Sequence, residues 1–315
     1  MKKILFKSLV YFTLLILLLE GLVRIFHLHK SYPYRYIDQE EVEKWKPLQS
    51  GYQVTGNRRQ NYVKYNINKQ GFNSYRTFSP TIDKTEIAIV GDSFIEGFHQ
   101  NYDNSIGKKV ETQLNGISVY EYGYAGYDFA DQLHLIYKYK SQFDLIDMVI
   151  LGIKFDNDFT REKYAINTDR IAMESPTVRL IQKSKLIVYL QNIGVLDQLR
   201  TKLAQILTVG KKEEQTVIQK SEKDIIIQSN LENFEKLANE YNFDKNKFIL
   251  MLESDISPKI FIDYLKKNEY KFIDLSPGFN NSSKPTTLIY DRHWNDHGRT
   301  IVANEIVKEI QKRFY

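Results

Sequence analysis

Thr85-Glu86-Ile87-Ala88-Ile89-Val90-Gly91-Asp92-Ser93 is the stretch whose reading decides the fold. A short apolar run that stops at a glycine is the pattern of a strand buried on both faces, as in a parallel sheet. Similar runs recur along the chain: Ile117-Ser118-Val119-Tyr120, Asp147 to Gly152, Lys247 to Leu252, and Tyr270 to Asp274. Segments with helical spacing separate them. Asn104 to Leu114 and Asp128 to Tyr139 are two, and His297 to Arg313 closes the chain with Ile301, Val302, Ile306, Val307 and Ile310 on one side. Strands alternating with helices predict an α/β domain with a parallel sheet between two helical layers.

The interval between the third and fourth strands is too long for one crossover helix. Within it, Ser184 to Leu207 and Ile225 to Tyr241 have near-helical spacing, and Lys211 to Lys223 is a strongly charged stretch. The expectation is a helical insertion over about 160–245, packed as elaboration or as a cap beside a site. Residues 29–83, rich in Tyr, Asn, Gln, Arg and Gly, form an irregular or short-stranded lead-in to a domain over 84–315.

At the amino end, Lys2 and Lys3 precede an apolar stretch from Ile4 to Phe26, interrupted by Lys7, Glu20 and Arg24. The uncharged core from Ser8 to Leu19 is short for a span of about 30 Å, but flanking charges can snorkel, and the whole stretch would cross. No small-x-small cleavage site follows it. Residues 1–28 are therefore expected to be an uncleaved, single-pass signal anchor rather than a cleaved signal or a core helix. Positive charges flank both ends, so the Met-Lys-Lys start sets the orientation, with the large domain outside the cytoplasm.

The 315 residues carry 44 Lys+Arg and 39 Asp+Glu, a formal net charge of +5. This mild excess shows no basic stripe with interleaved aromatics, so a nucleic-acid partner is not expected. There are no cysteines, which removes disulfides, thiolate metal sites and cysteine nucleophiles. With no ligand cluster in the sequence, neither a metal nor a cofactor is expected.

Candidate chemistry gathers where strands end. Ser93 follows the first strand at a glycine turn, in the position where doubly wound sheets bind ligands. There it suits a nucleophile whose own N–H, at a helix start, stabilises an oxyanion. Asp and Ser are equally good helix caps, so Gly-Asp-Ser alone is a weak signal. A serine nucleophile needs a base, and the base needs an orienting carboxylate. Of six histidines, His27 and His29 sit beside the anchor, His99 in the turn after Ser93, His134 on a helix and His297 at a helix start. His293, in a loop after the fifth strand with Asp291 two residues away, is the candidate base.

Gly91-Asp92-Ser93, Gly123-x-x-Gly126, Asn157-Asp158 and Asp291-x-His293 resemble, in order, the four blocks of SGNH (GDSL-type) hydrolases. The resemblance covers roughly residues 84–313. Asn68-x-x-Gly71-Phe72 is similar to a segment that precedes the domain in membrane-anchored bacterial members, and Asp291-x-His293-Trp294-Asn295 is similar to the block of the alginate O-acetylation proteins. The resemblance implies a flavodoxin-like three-layer fold, with Ser93 as nucleophile, His293 as general base and Asp291 as its orienting group. It also implies an oxyanion hole made of the Ser93 N–H, the Gly126 N–H and the Asn157 side-chain amide. The activity so implied is serine-esterase hydrolysis of O-acyl, foremost O-acetyl, groups on a cell-envelope glycan. O-acyl transfer on the same scaffold and an inactive glycan-binding component are the alternatives.

Three departures stand out. The spacing is Asp-x-His rather than Asp-x-x-His. Glu121 takes the place of the asparagine that opens the second block, and Phe94 follows the serine in place of leucine. A strict Asp131-x-x-His134 also occurs, expected on a solvated helix face without a catalytic part.

Overall fold

A computed structural model describes residues 1–207 and 220–315 of the chain. Residues 208–219, which include most of the charged stretch after Leu207, lie outside the described residues. The chain divides into two compact units. One comprises Met1–Tyr32, Gly51–Val63 and Asn167–Thr216, and the other Pro33–Ser50, Lys64–Ile166 and Val217–Tyr315.

Nine strands are described: β1 Arg35–Ile37, β2 Glu43–Trp45, β3 Ser50–Thr55, β4 Asn61–Asn66, β5 Thr85–Gly91, β6 Ile117–Gly123, β7 Met148–Gly152, β8 Phe248–Leu252 and β9 Phe272–Asp274. β1 pairs antiparallel with β2, and β3 pairs with β4. The other five form one parallel sheet in the order β6-β5-β7-β8-β9. Numbered within the sheet this is 2-1-3-4-5, the flavodoxin-like doubly wound order. The α/β expectation is met. In such a sheet the strand order reverses at the first strand, so a crevice opens at the carboxyl end of β5. Ser93 is two residues beyond that end.

Period-two alternation sends β5 side chains into two cores. Ala88 and Val90 join Tyr122, Phe129, Phe234 and Phe261 on one face. Ile87 and Ile89 join Ile106, Val110, Val302 and Ile306 on the other. The first face is covered by the helices Phe129–Lys138, Lys220–Glu240 and Lys259–Lys267, the second by Ile106–Gln113 and Asp296–Phe314. The result is three layers.

The lead-in is anchored in the same core. Val42, Trp45, Tyr65, Ile67, Phe72 and Phe78 are buried in the first cluster. Asn68 Oδ1 accepts from the Gln70 and Phe72 amides at 3.0 Å each, a side-chain-closed turn that delivers Phe72 inward.

In the other unit, Lys2–Ile25 is one continuous helix whose most apolar window has a mean hydropathy of 2.0. Among the described residues it alone is long and apolar enough to cross a membrane. This unit also holds the helices Thr168–Ala172, Pro176–Ile181, Lys185–Asn192 and Val195–Leu207.

Candidate active site

Ser93 opens the four-residue helix Ser93–Glu96. Asp92 is its cap: the carboxylate accepts from the Phe94 amide at 2.9 Å. The capping role weighed from sequence is thus real, and it leaves the Ser93 hydroxyl available for other work. That hydroxyl meets His293 Nε2 at 2.7 Å, across 200 positions of chain. His293 Nδ1 bonds Asp291 Oδ1, and the His293 amide donates to the same oxygen at 2.9 Å. With the Nδ1 proton donated to the carboxylate, Nε2 is left to accept from the serine hydroxyl.

The sequence explains why His293 stays there. Asn295 caps the closing helix by accepting from the Gly298 amide at 2.9 Å, and its Nδ2 donates to the carbonyls of Pro285 (2.8 Å) and Thr287 (3.0 Å). Trp294 is buried, edge-on to Phe94 at 4.7 Å. Phe94 in turn lies against the His293 ring at 4.5 Å. In Asp-x-His-Trp-Asn, then, Trp294 and Asn295 fasten the loop that carries Asp291 and His293.

His99 is the participant that sequence reasoning left in a turn. Its ring stacks on His293 at 3.8 Å with 14° between planes, and its Nε2 lies 3.2 Å from Asp291 Oδ2. The carboxylate is therefore shared by two imidazoles, one on each oxygen. Burial alone would raise the Asp291 pKa, but the bonds from His293 and His99 outweigh it and hold the carboxyl well below its ordinary range. Burial pulls His99 below the ordinary imidazole value, against the opposing pull of Asp291, so His99 is a neutral donor at neutral pH. His99, Asp291 and His293 also place one ligand atom each within 4.8 Å of one another. Their bonds to one another account for that grouping.

The expected oxyanion residues stand on the neighbouring strand ends. Gly126 follows β6 in the left-handed region at φ 92°, where a side chain would be strained. Its loop is pinned to β5 by the Tyr124 amide, which donates to the Gly91 carbonyl at 3.0 Å. Asn157 belongs to the short helix Phe155–Asp158 after β7. That turn is closed by the Lys154 amide, which donates to Asp158 Oδ2 at 2.7 Å. Asp158 is buried, and desolvation pushes its carboxyl well above the ordinary value. A cavity of about 140 Å³ opens beside these groups, lined by Phe94, Lys154, Asn157, Met251, Leu275 and Trp294 among others. Lys154 bridges to the Ser93 turn, with Nζ 3.2 Å from Asp92 and 3.3 Å from the centroid of the Phe94 ring.

A buried carboxyl braces the Ser93–Glu96 helix. Glu96 Oε1 accepts from Trp45 Nε1 at 2.6 Å and from the Ala125 amide at 3.1 Å, tying the lead-in and the Gly126 loop to one atom. Burial pushes the Glu96 pKa up to about 8. The β6 backbone comes so close that a Cβ on Gly123 would lie 2.0 Å from the Glu96 nitrogen.

Two expectations need correction or completion. Asp131 and His134 are not on a solvated face: both are buried. Asp131 forms a capping box with Asp128 and pairs with Arg161, while His134 stacks on Tyr164 at 3.6 Å. Glu121 is also buried, opposite the fully buried Arg299, whose Nη2 donates to the Phe94 carbonyl at 3.2 Å.

No protein-family model matches the chain, and no curated protein matches it. Among solved structures the chain is similar to a lipolytic protein of the G-D-S-L family from Veillonella parvula, with 13% identity and a TM-score of 0.40 over 73% of this chain and 100% of that one. It is similar to the lipase/acylhydrolase from Enterococcus faecalis, with 14% identity and a TM-score of 0.40 over 73% of this chain and 96% of that one. It is also similar to a catalytic mutant of an acetylxylan esterase from Geobacillus stearothermophilus, with 14% identity and a TM-score of 0.37 over 74% of this chain and 96% of that one.

Proposed function

We propose that the protein is an SGNH-type serine esterase, held to a membrane by its Lys2–Ile25 helix, that removes O-acyl groups, foremost O-acetyl, from a cell-envelope glycan outside the cytoplasm. The observation that carries this reading is the 2.7 Å contact between Ser93 Oγ and His293 Nε2, with Asp291 on the far side of the ring.

The chemistry follows from the roles these atoms can play. Ser93 Oγ attacks the ester carbonyl while its proton passes to His293 Nε2. The tetrahedral intermediate carries a negative oxygen, stabilised by the Ser93 and Gly126 amides and the Asn157 side chain. Each such donor is worth about 3 kcal/mol of barrier. The bond to the alcohol then breaks, and His293 returns the proton to the leaving oxygen. Water then attacks the acyl carbon while His293 takes its proton, the bond to Ser93 Oγ breaks, Oγ takes that proton back from His293, and the acid is released. Asp291 fixes the ring and balances the imidazolium charge, and neutral His99 fixes Asp291.

The test measures acetate released from O-acetylated polysaccharide by the full chain in detergent, beside Ser93→Ala. Serine-dependent acetate release supports the proposal. Acetyl appearing on an added glycan acceptor, with little free acetate, would make the protein a transferase. Equal traces from both proteins would refute an esterase.

A further inference from the structure

The apolar helix Lys2–Ile25 carries one carboxylate near its far end, and that carboxylate is fully engaged. Glu20 Oε1 accepts from the Lys185 amide at 2.9 Å. Its Oε2 accepts from the Leu186 amide at 2.7 Å and from Ser184 Oγ at 3.1 Å. Glu20 therefore closes the amino terminus of the Lys185–Asn192 helix, where a negative charge is favoured. One turn on, Arg24 Nη2 donates to the Lys183 carbonyl at 2.8 Å. These bonds fix the Lys183–Leu186 segment at the level of Glu20 along the long helix.

That level can be placed. From Lys2 to Glu20 the helix rises about 27 Å at about 1.5 Å per residue, close to the roughly 30 Å of a hydrocarbon layer. If Lys2 marks one boundary of a bilayer, Glu20 marks the other. The residues that flank the pinned segment are apolar and bare: Leu180 is 63% exposed, Ile181 47% and Ile187 38%. None is more than three positions from a group bonded to Glu20 or Arg24. Exposed cations lie in the same unit. Arg24 follows Glu20 by a turn, Lys183 lies in the pinned segment, and Arg59 Nη1 donates to the Phe26 carbonyl at 3.4 Å. Apolar side chains beside basic ones, at the mouth of a spanning helix, match the chemistry of the headgroup region of an anionic lipid leaflet.

We infer that the helices Pro176–Ile181 and Lys185–Asn192 form a collar lying in the interface of the bilayer that Lys2–Ile25 crosses. Leu180, Ile181 and Ile187 enter the acyl boundary, while Arg24, Arg59 and Lys183 meet lipid phosphates. The inference rests on the anchor reading of the first helix. It gives part of the long insertion a partner, the lipid surface, and sets the height at which this unit leaves the membrane.

The chain has no cysteine, so single nitroxide labels need no background removal. Leu180→Cys, Ile181→Cys, Ile187→Cys and Phe12→Cys are labelled in the full chain and placed in phosphatidylcholine–phosphatidylglycerol nanodiscs. Relaxation by oxygen, which partitions into lipid, is compared with relaxation by a water-soluble nickel chelate. Hydrolysis of an aryl acetate by each labelled chain reports folding. The collar predicts an oxygen-to-nickel ratio several-fold above the aqueous value at 180, 181 and 187, and higher still at 12. A lipid ratio at 12 with aqueous ratios at the other three overturns the collar and leaves the anchor standing. Exclusion of both reagents at the three sites would mean a protein covers them, and overturns it too. An aqueous ratio at 12 removes the anchor and the collar together.

Discussion

Glu96 offers a quantitative handle on how the site is held. Its carboxyl, on the Ser93–Glu96 helix, is buried against Trp45 and the Ala125 amide, and burial lifts its pKa from the ordinary 4.5 to about 8. An acid raised in this way keeps its proton in the folded chain while the unfolded chain has lost it. Over that window the unfolded state binds fewer protons, so stability falls as pH rises from about 4.5 and levels off above about 8. The slope is about 1.4 kcal/mol per pH unit, so the loss across the window approaches about 5 kcal/mol. Glu96→Gln carries no such charge, and its amide oxygen can still accept from Trp45 and Ala125.

The assay is denaturant unfolding of the full chain in non-ionic detergent, wild type beside Glu96→Gln, at pH 5 and pH 8.5. The difference between the two proteins cancels the titrating groups they share. The variant is expected to gain on the wild type by several kcal/mol between the two conditions. A constant difference would refute the claim that a buried, protonated Glu96 ties the lead-in to the Ser93–Glu96 helix.

Other expectations follow from the same geometry. His99→Phe keeps a ring on His293 but removes the donor to Asp291; a hydrogen bond to a charged group is worth about 1.5–3 kcal/mol, so kcat/KM on an aryl acetate should fall about tenfold or more, with His99→Gln recovering part of it. Asn157→Ala should lower kcat by about a hundredfold with little change in KM, because its amide is proposed to act on the oxyanion alone; an equal rise in KM would assign it to ground-state binding. Gly123→Ala should give poorly folded protein on circular dichroism and proteolysis, since its Cβ meets the backbone of Glu96 rather than a movable side chain. Activity should be lost in acid, because the base must be neutral to take the serine proton; a profile that stays flat into acid, with chemistry rate-limiting, would exclude His293.

The parallel sheet was legible because its strands are short apolar runs, two of which stop at Gly91 and Gly152, and the serine turn was legible from its place after the first of them. β6 runs three residues further than its apolar run, because Glu121, Tyr122 and Gly123 continue the ladder beside Ile89, Val90 and Gly91 of β5, a pairing no local pattern reveals. The Asp131–His134 pair misled for a similar reason: its charge and ring are satisfied by Arg161 and Tyr164, thirty residues downstream, so polar residues sit in the interior. Asp291 and His293 could be named as a pair from their spacing and loop. His99 could not, because a lone histidine after a turn looks like any surface residue until the fold stacks it on its partner. The lead-in looked irregular because its strands are only three to six residues long, yet Trp45 and Phe72 reach the core beneath the parallel sheet.

The central claim is that Ser93 is a nucleophile driven by His293. A fluorophosphonate probe phosphonylates only an activated serine, and peptide mass spectrometry locates the adduct. The account predicts one adduct on the peptide containing Ser93, absent in Ser93→Ala and lost in His293→Ala while both variants remain folded. Labelling elsewhere, or undiminished labelling of Ser93 without the imidazole, would contradict it.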